Sequence, residues 1–92
     1  MIRSSVSNRT EKLFNDYRVG RFQASETVAR RKLKMLDDAA RLDDLAALPG
    51  NQLEELHGER QGQHSVRMSQ RYLICFMWQD GDAHNVEIVD RQ

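Results

Sequence analysis

Apolar residues recur with one period in the first half of this chain and with another in the second. Beyond Ser25, Ala29, Leu33, Leu36 and Ala40 stand four, three and four positions apart, with Val28 and Met35 beside them. That spacing lays a continuous stripe along one side of an α-helix, and Ser25 offers an N-cap oxygen. Arg30, Arg31, Lys32 and Lys34 fall mainly on the other faces, as a solvated basic side or a contact for an acidic partner or RNA. A shorter helix is predicted upstream. Asn8-Arg9-Thr10-Glu11 fits a capping box, Leu13, Phe14 and Tyr17 share a side, and Gly20 interrupts the pattern. Met1 to Val6 reads as a short edge strand, and Arg41 to Leu48 as a further helical turn.

Pro49-Gly50-Asn51 breaks the chain, and the period then falls to two. Leu53 to Leu56 predicts a short strand and Gly58 to Gly62 a polar loop. Val66 and Met68 alternate with Ser65 and Arg67, and Ser69-Gln70 reads as a tight turn. Tyr72, Ile74, Phe76 and Trp78 alternate with Leu73, Cys75 and Met77, so both faces of that strand are apolar and it belongs inside a sheet. Asp80-Gly81 is a hairpin signal, and Val86 and Ile88 alternate with Glu87 before Val89 completes the last strand. Helices followed by an antiparallel meander predict an α+β fold, with residues 1–92 as a single domain.

Composition narrows the function. The chain is 39% hydrophobic, enough for a core, and 30% charged with a formal net charge of zero, which excludes a uniformly basic nucleic-acid binder. The charge is unevenly spread: residues 1–46 hold ten Lys/Arg against seven Asp/Glu, and residues 47–92 hold four against seven. The single cysteine, Cys75, lies in the most apolar run and reads as a buried small hydrophobe in a reducing compartment. No run approaches the ~20 apolar residues of a membrane span, and Met1-Ile2-Arg3-Ser4-Ser5 lacks the apolar segment of a secretory signal. A cytoplasmic location without membrane contact is the expectation.

Three histidines, His57, His64 and His84, stand apart from one another and from the cysteine, so zinc-type spacing is absent. Neither a metal nor a cofactor is expected, and neither a Gly-rich phosphate loop nor a nucleophile elbow is present. Cleaving RNA without a metal needs a base for the 2′-hydroxyl, an acid for the leaving 5′-oxygen and cations for the phosphorane charge. His serves as acid or base near neutral pH, and Arg grips a phosphate through two N–H groups. His57, Arg60, Arg67 and Arg71 lie on or beside the predicted sheet, with His64 among them, and Asp90 and Arg91 follow its last strand. Taken singly, each reads as a solvated surface side chain. Together on one face they form a candidate site, in which His57, Arg60, Asp90 and Arg91 would do the chemistry and His64, Arg67 and Arg71 would hold the RNA.

Several separated motifs resemble one family. Pro49-Gly50-Asn51 with Leu53-Glu54, Gly62-Gln63-His64-Ser65-Val66-Arg67, Ile74-Cys75-Phe76-Met77-Trp78 and Asn85-Val86-Glu87-Ile88-Val89-Asp90 are similar, in order and register, to the HigB branch of the RelE/ParE toxins. So are Met1-Ile2-Arg3-Ser4 and the run from Ala29-Arg30-Arg31-Lys32-Leu33 to Met35-Leu36-Asp37. The resemblance implies a RelE-like fold, with two N-terminal helices packed on a small twisted antiparallel sheet. It implies the toxin of a type II toxin–antitoxin system, of the kind described as plasmid maintenance killer proteins. The implied activity is ribosome-dependent, metal-free cleavage of mRNA, which inhibits translation and arrests growth. The implied partners are the ribosome, mRNA and a HigA-like helix-turn-helix antitoxin, with operator DNA reached only through the antitoxin complex.

The carry-over of residues is partial. Leu56-His57-Gly58-Glu59-Arg60 matches a family segment that often has a basic or polar residue at His57, and some members carry a His where this chain has Glu54. Family chains typically end Asp-Tyr-His, and those residues are implicated in catalysis; this chain reads Asp90-Arg91-Gln92. Arg91 can stabilise a phosphate but is a poor acid or base. Three accounts stay open: His57 supplies the proton chemistry and Arg60, Arg71 and Arg91 the charge; the activity is weak; or the altered end silences it. Three functions compete: an mRNA endonuclease, an inhibitor of DNA gyrase as ParE-type relatives are, and a non-catalytic module that mainly pairs with an antitoxin to repress transcription.

Overall fold

The computed structural model describes residues 1–4 and 26–90. The capping box and helix expected from Asn8 to Tyr17, the break at Gly20, the cap at Ser25, and Arg91 all lie outside those residues.

The predicted amphipathic stripe forms helix α1, Glu26–Asp38. Ala29, Leu33 and Leu36 are wholly buried along it. The fourth stripe position differs from the expectation. The helix stops at Asp38, so Ala39 turns inward and Ala40 is exposed. A second helix, α2, spans Leu42–Ala46. Its start is closed by Asp44, whose carboxylate accepts from the backbone N–H groups of Ala40 and Arg41 at 3.0 Å each. Those donors have no partner within the helix. Leu45 anchors α2 in the core. Pro49–Asn51 then makes a 3₁₀ turn and delivers the chain to the sheet.

Four strands form that sheet in sequence order, every neighbouring pair antiparallel: β1 Glu54–Glu55, β2 Gln63–Arg67, β3 Tyr72–Gln79 and β4 Asp82–Asp90. β3 is interior, as its two apolar faces predict. β1 is shorter than the predicted Leu53–Leu56, and the polar loop after it contains a 3₁₀ turn at Gly58–Arg60. Asp80 and Gly81 close the β3–β4 hairpin with φ of 54° and 80°. Positive φ at both central residues is the type I′ turn that matches strand twist.

Two features depart from a plain meander. The N-terminal segment lies parallel to the start of β4: Ile2 bridges Ala83, and Arg3 N–H donates to Ala83 C=O at 2.7 Å. Second, β4 carries a bulge. Cys75 pairs with Glu87 and Met77 with His84, so Asn85 and Val86 together oppose Phe76. Asn85, at φ 53°, absorbs the extra residue. The bulge lets Ala83 and Val86, three apart, both face the core and be fully buried.

α1 and α2 cover one face of the sheet. Ala29, Leu33, Leu36, Ala39 and Leu45 pack there against Val66, Met68, Tyr72, Ile74, Phe76, Ala83 and Val86. Burial of each large aliphatic side chain in this layer contributes about 1.5–3 kcal/mol. The class is therefore α+β, as expected. Among the described residues, no helix is long and apolar enough to cross a membrane.

Candidate functional site

Residues directly opposite each other in neighbouring strands share a face of the sheet. Val66, Ile74 and Ile88 thus mark the helix-covered face. The other face carries three rows: Gln63–Met77–His84, Glu54–Ser65–Cys75–Glu87, and Arg67–Leu73–Val89. Its polar and ionisable groups set it apart from the core.

Arg60 reaches onto this second face from the turn before β2. That turn begins at His57, and Gly58 follows at φ 70°, a conformation that glycine adopts without strain. Arg60 Nη1 donates to Gln63 Oε1 and Nη2 to Glu87 Oε1, both at 3.2 Å. The guanidinium and the Glu87 carboxylate are each a little over one-third exposed. Between the flanking strands lie Ser65 and Cys75, each 2% exposed. Burial pushes the Cys75 thiol up; the cationic Arg60 opposes that shift and Glu87 adds to it. The thiol is thereby held neutral beside an ion pair. Arg67 shares the face, and its Nη1 donates to Gln52 Oε1 at 3.4 Å. Gln52 takes a left-handed φ of 45° as the chain leaves the Pro49–Asn51 turn. Chemically, this face offers two guanidinium groups fixed by amides and one carboxylate within hydrogen-bond reach of a cation.

The remaining candidates stand elsewhere. His64 pairs with Phe76, which puts it on the helix-covered side rather than beside Arg60 and Arg67. Its ring stacks near Phe76, with centroids 6.2 Å apart and planes 25° apart, and its Nδ1 is buried without a hydrogen-bond partner among the described residues. The expectation of one face for all the cations is corrected at this residue. Strand parity put His64 in phase with Val66, and the apolar row carried it inward. Trp78 meets Phe76 edge-on at 6.3 Å and packs partly buried against the core. Arg71 sits at the entry to β3 with its Nε 3.0 Å from Asp90 Oδ2 and its guanidinium 5.3 Å from the Tyr72 ring centre. Asp90 pairs with Tyr72 in the register, so this ion pair is separate from Arg60 and Glu87. The hydrogen bond that Asp90 accepts from Arg71 raises the Arg71 pKa. His57 is exposed at the start of the Arg60 turn.

The sequence reading missed Glu87, Gln63 and Gln52 as partners. The one available signal was the polar position of Glu87 between Val86 and Ile88. Separately, a groove of about 480 Å³ lies between α1 and α2, lined by apolar Met35, Ala39, Leu45 and Leu48 and by two cationic and two acidic side chains. It contains none of the candidate residues, and its charges cancel. Among the described residues, no cluster of three or more His, Cys, Asp or Glu is arranged to hold a metal ion.

The molecule is a small α+β protein with helices on one face of a four-stranded antiparallel sheet and two separately held guanidinium groups on the other. The chain belongs to the HigB-like toxin family, the RelE-like toxins of type II toxin–antitoxin systems, whose sequence profile matches residues 7–91. Toxin HigB-1 of Vibrio cholerae serotype O1 is 42% identical over 60 residues, which are 65% of this chain and 63% of that protein. A Haemophilus influenzae protein named only as uncharacterized is 29% identical over 59 residues, 64% of this chain and 58% of its own length. The matched region thus spans less than two thirds of either relative.

Proposed function

We propose that this chain is the toxin of a type II toxin–antitoxin pair and acts as a metal-free endoribonuclease on ribosome-bound mRNA. Arg60, fixed by Gln63 and Glu87 on the sheet face away from the helices, carries this reading. A guanidinium that Gln63 keeps on this face is placed for the charge that develops on a phosphorane. Arg67 on the same face grips the RNA backbone, and His57, three residues before Arg60, delivers a proton to the leaving oxygen. Arg71 and Asp90 form a second charged locus where β3 begins and β4 ends, and there Arg71 meets a flanking phosphate. The chain has no net charge, so the ribosome supplies much of the substrate positioning. An antitoxin, HigA-like in the family's pattern, neutralises the toxin. It binds operator DNA on behalf of the complex.

The test is 5′-end mapping of cellular mRNA after a pulse of the protein. In-frame cuts within translated regions are expected, and Arg60→Ala lowers cutting by about 10²–10³-fold, the usual loss for an oxyanion donor. Growth arrest with intact mRNA and accumulated DNA breaks would instead identify a gyrase inhibitor. Tight antitoxin binding with no growth effect from the free protein would identify a corepressor.

A further inference from the structure

We infer that Glu87 is the proton acceptor of this site, released for that role when Arg60 turns from it to the scissile phosphate. The inference rests on the endoribonuclease reading and adds a catalytic residue to it. Three acidic candidates can be compared. Asp90 is engaged by Arg71 at 3.0 Å, on the Tyr72 side of the register. Glu54 shares a row with Glu87 but stands three strands away, roughly 14 Å at the usual strand spacing. That sets it apart from the Glu87 carboxylate that Arg60 contacts. Glu87 is 3.2 Å from the Arg60 guanidinium and faces away from the core. Among the described residues, the charged and titratable groups around it are Arg60 from the turn, Cys75 opposite on β3 and His84 in the next row of β4. Burial holds the thiol protonated, so Cys75 does not compete for the substrate's proton.

The exchange of partners has a chemical logic. A phosphate that takes the Arg60 N–H groups leaves a carboxylate facing the same ribose. Glu87 removes the proton of the 2′-hydroxyl, and the 2′-oxygen forms a bond to phosphorus. The bond from phosphorus to the 5′-oxygen breaks, and that oxygen takes a proton from His57. The products are a 2′,3′-cyclic phosphate and a 5′-hydroxyl. Glu87 then loses its proton to solvent and His57 regains one, so no net proton is consumed.

The experiment is single-turnover cleavage of mRNA on programmed ribosomes by the full chain, followed across pH, with wild type beside Glu87→Gln, Glu87→Asp and Glu87→Ala. Glutamine keeps an oxygen that accepts from Arg60 but cannot take a proton at working pH. The expected result is a loss of about 10²-fold or more in Glu87→Gln, disappearance of the acid limb of its rate profile, and partial rescue by Glu87→Asp. Matching circular dichroism and melting of the variants exclude unfolding, and should glutamine disturb the fold, the aspartate variant's profile carries the test. If wild type and Glu87→Gln cut alike while Glu87→Ala does not, Glu87 only positions Arg60; this inference fails and the nuclease reading stands. If wild type leaves ribosome-bound mRNA intact, both fall together.

Discussion

Asn51 is fully buried and polar, and each end of its amide has a partner. Lys32 Nζ donates to its Oδ1 at 2.6 Å, and its Nδ2 donates to the Leu45 carbonyl at 3.0 Å and to Met35 Sδ at 3.3 Å. One side chain thereby joins α1, α2 and the turn that leads into the sheet. Burial, with Arg31 nearby, lowers the Lys32 pKa, and the Asn51 amide oxygen is a polar partner for that amine. Asn51→Ala leaves both the Leu45 carbonyl and the Lys32 amine short of a partner, and should destabilise the fold by about 1–3 kcal/mol. A urea unfolding midpoint measures this. Asn51→Asp restores an acceptor for Lys32 but not a donor for Leu45, so it should fall between the two. The sequence marks Asn51 only as part of a helix-breaking Pro-Gly-Asn. Its partners lie 6 to 19 positions away, beyond what any local pattern encodes.

Among the elements, the strands were legible and their pairing partners less so. Period-two alternation located β3 and the Asp80-Gly81 turn located its hairpin, because both signals are local. The bulge was not legible: Ala83 and Val86 break the alternation, and only the register across β3 makes sense of their spacing. The short N-terminal strand was expected, but not its parallel place against β4. Asp82 secures that place. Arg3 Nε donates to its Oδ2 at 3.0 Å, and the Met1 ammonium stands 3.2 Å from Oδ1. Arg3 first, and then Met1, hold the Asp82 carboxyl below its usual range. A carboxyl that ionises more readily folded than unfolded contributes its full stability above the unfolded value of about 3.9. That contribution is lost as pH falls through the lower, folded value. Asp82→Asn should therefore be less stable than wild type at neutral pH, and the two should converge in acid. Urea midpoints followed from about pH 7 to 2 would test it; a constant gap across that range would sink the assignment.

For the whole molecule, the sequence displayed the residue types of the candidate site but not their geography. Arginine and histidine were visible as residue types, and the α+β class and the toxin family followed from pattern and resemblance. Which residues meet was decided by strand parity, the bulge and the Arg60 turn, which bring Arg60 to Glu87 across 27 positions and leave His64 on the other side. The Arg60–Glu87 pair has a consequence for how the protein meets a polyanion. A basic protein gains much of its affinity from the ions a nucleic acid sheds, and loses about 10³–10⁵ in affinity between 50 and 200 mM salt when it makes six to ten phosphate contacts. Arg60 and Arg71 each begin with a carboxylate, so in the proposed nuclease engaging RNA would trade one anion for another and free few condensed counterions. Free protein titrated with a short RNA over that range should change affinity by less than about tenfold, and a steep salt slope would contradict this. On the proposed nuclease reading, discrimination between substrates would depend little on ionic strength, and the surface would stay indifferent to bulk nucleic acid until a structured assembly presents the right phosphate.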